Sequence, residues 1–148
     1  MANFRFRLKA VATLREQARD RLAEALAEVM EAQRIVKEQI NQLQREIEKA
    51  LKQRHMASIG IVRIDRLLMV QRHQLMLEAQ RDQANQQLKL LEEEYDRRRA
   101  LLVEAEKEVK AMERLKETQK ARWDQDQLIA EQKQMDEWAS TQYQRLQQ

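Results

Sequence analysis

Two histidines, two serines and one dense charge run are the residues from which a reactive site could be built: His55, His73, Ser58, Ser140, and Glu92-Glu93-Glu94-Tyr95-Asp96-Arg97-Arg98-Arg99. A metal shell needs three or four ligands converging on one point, and the two histidines fall on different helical segments with no carboxylate set to complete it. Both read as surface residues. Neither serine is read with a histidine base, and the carboxylates have no pocket to desolvate them, so the raised pKa of a general acid has no source. The charge run reads as helix support, because Glu93 with Arg97 and Glu94 with Arg98 are i,i+4 pairs in the favourable order. A phosphate-cradling loop needs several glycines, and the chain has one. The expectation is no catalytic residue, no cofactor and no metal.

The elements that carry these residues follow from composition. Of 148 residues 36% are charged and only 4% aromatic, too little apolar mass for a globular core. Mean hydropathy is -0.85. Ala, Leu, Glu, Gln, Lys and Arg dominate, the best helix formers, and with a sustained period near 3.5 they mark a coiled coil. There is no cysteine and no proline, which excludes disulfides and fits a reducing compartment. No apolar run follows Arg5, Arg7 and Lys9 that could act as a signal peptide or membrane span, so a cytoplasmic protein is expected.

Gly60, the only glycine, divides the chain, and Ser58-Ile59-Gly60 is the one place where the backbone reverses cheaply. With Asn3 as N-cap, the spacing predicts helix one over about 4–57, a tip at 58–60 and helix two over about 61–142, a single coiled-coil domain across 1–148. Apolar residues recur in steps of three and four on both sides. Folding back at Gly60 opposes residues whose numbers total about 120, so that Val11 meets Val109 and Val29 meets Leu91. The fold class expected is all-α, a long antiparallel two-helix coiled-coil hairpin with a longer, protruding second helix. Arg15 and Arg98 fall on the seam, where they are expected to bury their stems and keep their heads in water.

Three stretches exceed what a hairpin needs. Residues 1–21 hold six Lys or Arg against Glu16 and Asp20, a local +4, while the rest of the chain sums to about neutral. Such an end attracts an acidic protein, an anionic membrane or nucleic acid, or is simply a solvated face. Past the tip, apolar side chains from Ile59 to Leu77 encircle the helix. A wider core or a homodimer contact would cover them; the reading preferred is a docking face, with Met69 and Met76 as adaptable contacts. Residues 117–148 have no partner within the hairpin and project over some 35 to 40 Å. They carry both tryptophans, Trp123 and Trp138, and Tyr143, of the residue types enriched at binding hot spots.

The opening Phe4-Arg5-Phe6-Arg7-Leu8, with Val11, Leu14 and Arg15, resembles the start of the FliJ family of flagellar type III export proteins. The closing Glu131-Gln132-Lys133-Gln134-Met135-Asp136-Glu137-Trp138-Ala139 is similar to that family's ending. The resemblance implies a non-enzymatic stalk-like coiled coil that links the hexameric export ATPase to the membrane export gate and interacts with export chaperones. It implies a monomer, cytoplasmic and peripherally associated with the inner face of the cell membrane at the flagellar basal body, with neither nucleic-acid binding nor membrane insertion. On this carry-over the ATPase end comprises Phe4, Phe6, Leu8, Trp123, Lys133, Asp136, Glu137 and Trp138. The gate contact comprises Met69, Met76 and Leu77. Two other readings stand beside it, the equivalent stalk of a virulence secretion system and a self-associating structural coiled coil.

Overall fold

A helix that begins amid positive charge starts late. Arg5, Arg7 and Lys9 oppose the positive end of the helix dipole, and the first turn of α1 contains no acidic residue to offset them. In the computed structural model, which describes residues 3–147, α1 accordingly runs from Lys9 to Ala57 and not from Phe4. Asn3 lies well ahead of the helix and caps nothing. Residues 3–6 are extended, and the chain enters the helix through a turn in which the Lys9 N–H donates to the Phe6 carbonyl at 3.2 Å.

Helix α2 spans Ile64–Leu146, 83 residues against 49 in α1, and no strand occurs among the described residues. The fold is an all-α helical hairpin. Its connection covers 58–63, three residues longer than the spacing predicts. The Ser58 N–H donates to the carbonyls of Arg54 and His55, its hydroxyl donates to His55 at 2.7 Å, and Gly60 then takes φ +79°. That value belongs to the left-handed region, which glycine enters without a Cβ penalty. Arg54 and His55 in the last turn of α1, and Asp65 in the first turn of α2, complement the two dipoles.

The chain forms two compact units, each built from paired stretches of α1 and α2. One comprises residues 21–102. Its core is Leu43, Ile47 and Ala50 from α1 with Leu77 and Ala84 from α2, flanked by Val36 and Ile40. The α2 seam proceeds through Leu67, Val70, Gln74 and Leu77 in alternating steps, as a heptad requires. Gln74 is buried on that seam and satisfied, donating to Glu78 at 2.9 Å and accepting from Arg54 at 3.4 Å. Gln33 donates across the seam to the Leu91 carbonyl at 3.3 Å, within a few residues of the expected register.

The other unit comprises 1–20 and 103–148. Val109 is its one buried apolar residue among those described. Arg15 pairs with Glu108 at 2.5 Å across its helices, both side chains about half exposed. Exposed ion pairs of this kind contribute about 0–1 kcal/mol, so this unit rests on a thinner hydrophobic contact than its neighbour.

Candidate partner-binding surfaces

The extended opening decides what the first site residues do. In residues 3–7 exposure alternates, with Phe4 and Phe6 half-buried and Asn3, Arg5 and Arg7 exposed. This is the period of two that an extended chain imposes. Phe4 lies against Trp123 with ring centroids 6.1 Å apart and planes tilted by 55°, within the range of favourable aromatic pairs. Phe6 borders a groove with Val109 and Met112. Leu8 stays at the exposed margin.

The aromatic contact revises the expected projection. An extended chain covers about 3.3 Å per residue against 1.5 Å for a helix, so five residues ahead of Lys9 reach about twice as many residues of α2 as a helical start would. Trp123 is therefore engaged within the unit and half-buried, where the spacing predicts a free residue. Residues 128–147 are exposed throughout, and the unaccompanied helix shortens to about 28 Å. It carries Lys133, Asp136, Glu137 and Trp138, all exposed, with Trp138 at 66%. Nothing brings these four against Phe4, Phe6 or Leu8. The hydroxyls of Ser140 and Thr141 both donate to the Glu137 carbonyl, which keeps them inside their own helix.

The three residues of the gate contact separate. Met69 is 72% exposed and borders a groove with Met56 and Val70, while Met76 is half exposed. Leu77 is 3% exposed and packed in the core with Ala50 and Ala84, so it offers no docking surface. Its place in the seam, seven residues after Val70, is the signal that assigns it inward.

The charge run acts as helix support, with one change of partner and one cross-helix contact. Arg98 donates to Glu94 at 2.8 Å and Arg97 pairs with Glu94, not Glu93, at 2.6 Å. The Arg98 hydrogen bond, ahead of any other influence, holds the Glu94 carboxyl below its usual range. Arg98 also donates to the Ala25 carbonyl at 2.6 Å, so its head is engaged across the seam and not left in water. His55 stands at helical spacing from Ser58, contrary to the reading above. The Ser58 hydroxyl nevertheless meets the backbone carbonyl of His55, which makes it a cap and not a nucleophile. Among the described residues no group of three metal-ligating side chains converges, and no helix is long and apolar enough to cross a membrane.

No curated protein and no solved structure matches the chain. Residues 4–148 match the family described as "Flagellar FliJ protein", essentially the whole length. The helical hairpin, the Phe-Arg-Phe-Arg opening and the Asp-Glu-Trp ending all lie inside that match, and the chain belongs to the flagellar FliJ family, components of the flagellar export apparatus.

Proposed function

We propose that this protein is the stalk-like link of the flagellar export apparatus, joining the hexameric export ATPase to the membrane export gate and receiving export chaperones, with no catalysis of its own. The observation that carries this reading is the exposed end of α2. A helix that leaves Leu128, Met135, Trp138 and Tyr143 in water has a surface suited to burial in a partner, since large aromatic residues dominate binding energy where they are desolvated. Lys133, Asp136 and Glu137 on the same turns supply charge for orientation. The family match favours the flagellar setting over the virulence one.

The second contact is the Met56, Met69 and Val70 groove with the neighbouring Met76, on which the gate docks. Methionine suits a surface that must accept a partner in more than one pose. The protein acts as a cytoplasmic monomer held at the inner membrane face through these contacts.

Capture of the export ATPase by the full chain, set against a chain lacking 128–148, tests this. The deletion leaves the Phe4–Trp123 contact intact, so ATPase capture is expected to disappear while helical signal per residue and monomer mass stay unchanged. Undiminished capture would remove the exposed end from the assignment. A stable dimer that ignores the ATPase would replace the link with a self-associating coiled coil.

A further inference from the structure

The near-neutral balance outside the first 21 residues conceals a second basic region. Between residues 49 and 77 stand Lys49, Lys52, Arg54, Arg63, Arg66 and Arg72 against one acid, Asp65, a local +5 in a chain whose total is +3. Among the described residues none of these six cations makes an ion pair, whereas Arg15, Arg34, Arg45, Arg97 and Arg98 elsewhere all do. Their field is therefore not cancelled locally. Interleaved with them are bulky side chains left in water: Ile59, Ile61 at 97% exposure, Ile64, Leu68 and Met69.

Ile59 and Ile61 sit in the connection and Ile64 opens α2, so the apolar residues crown the turn instead of forming one helical stripe. A partner helix or a groove covers one stripe. A fluid surface conforms to a crown, and when its headgroups are anionic it meets the interspersed cations with complementary charge. We infer that the tip of the hairpin adsorbs to an anionic phospholipid surface, with Ile59, Ile61 and Ile64 entering the headgroup boundary while Lys52, Arg63 and Arg66 contact lipid phosphates. The contact is interfacial, since the apolar run is far too short to span. It depends on residues 49–77 alone and requires neither the ATPase nor the gate, so it stands or falls separately from the link proposed above.

The chain has no cysteine, so Ile61→Cys accepts a single environment-sensitive fluorophore. The expected result is a blue shift with phosphatidylcholine vesicles containing phosphatidylglycerol and none with phosphatidylcholine alone, weakening as salt rises. Neutralising Lys52, Arg63 and Arg66 together to Gln is expected to lower the vesicle partition by on the order of a hundredfold, about fivefold per cation. In the unlabelled protein, Ile61→Ser with Ile64→Ser is expected to lower co-sedimentation with the same vesicles by about tenfold. Both positions are exposed, so unchanged circular dichroism verifies the fold. No shift with either vesicle, an equal shift on neutral lipid, or a shift produced without lipid by raising protein concentration would overturn the inference. The last outcome would assign the tip to a second copy of the chain.

Discussion

The two units of this chain use the same heptad materials and are held differently. In residues 21–102 six apolar side chains are buried, Val29, Leu43, Ile47, Ala50, Leu77 and Ala84, and a buried Gln74 is satisfied on both sides. In the unit of 1–20 and 103–148, Val109 alone is buried, and an extended strap with two phenylalanines does the work of a helical stripe. The difference shows that heptad spacing gives phase but not packing. Large residues facing Ala make a closed seam, while seam positions given to Arg15 or left at the margin, as Val11 is, make an open one.

The strongest way to break this comparison is to empty the closed seam. Ile47→Ala or Leu77→Ala is expected to cost about 2–5 kcal/mol, read as a fall in the thermal midpoint, because both sites are nearly inaccessible and collapse poorly around a void. An effect no larger than that of Val11→Ala would mean the units are equally packed. Phe4→Ala comes next, at about 1 kcal/mol, the size of one aromatic pair. Its signature is faster amide exchange in 9–20 and 110–125 with 40–50 unchanged. Met69→Asp with Met76→Asp is expected to leave the midpoint within about 0.5 kcal/mol, as exposed substitutions do, and to weaken gate binding without touching ATPase capture.

The smallest effect concerns pH. The Glu94 carboxyl has its folded pKa depressed by Arg98, so its contribution is present above the unfolded value and lost as pH falls through the folded one. Glu94→Gln is expected to flatten the stability curve only on that acid limb. A change on the alkaline side would contradict the assignment.

These contrasts also mark what could be read from residue order. The reversal at Gly60, the helical hairpin and the seam from Leu88 to Met112 follow from one glycine and a repeat of three and four. The late start of α1 does not, because Phe4, Leu8 and Val11 satisfy a helical period as well as Phe4, Phe6 and Leu8 satisfy a period of two. Charge decides between them, since Arg5, Arg7 and Lys9 disfavour a helix start there. The engagement of Trp123 follows from that choice, and spacing alone cannot reveal it. Leu77 was within reach by extending the α2 seam back through Gln74, but a polar residue on the stripe hides the continuity. The basic tip is hidden by arithmetic, its +5 nearly cancelled by the acidic excess in the rest of both helices.

The central claim is that this chain presents two separate contact surfaces, the end of α2 and the neighbourhood of the turn. Photocrosslinking in motile cells tests it most directly, with a photoreactive amino acid in place of Trp138 in one strain and of Met69 in another. The account expects position 138 to crosslink to the export ATPase and position 69 to the export gate, with no exchange of partners. Crosslinks from both positions to the same protein would contradict it.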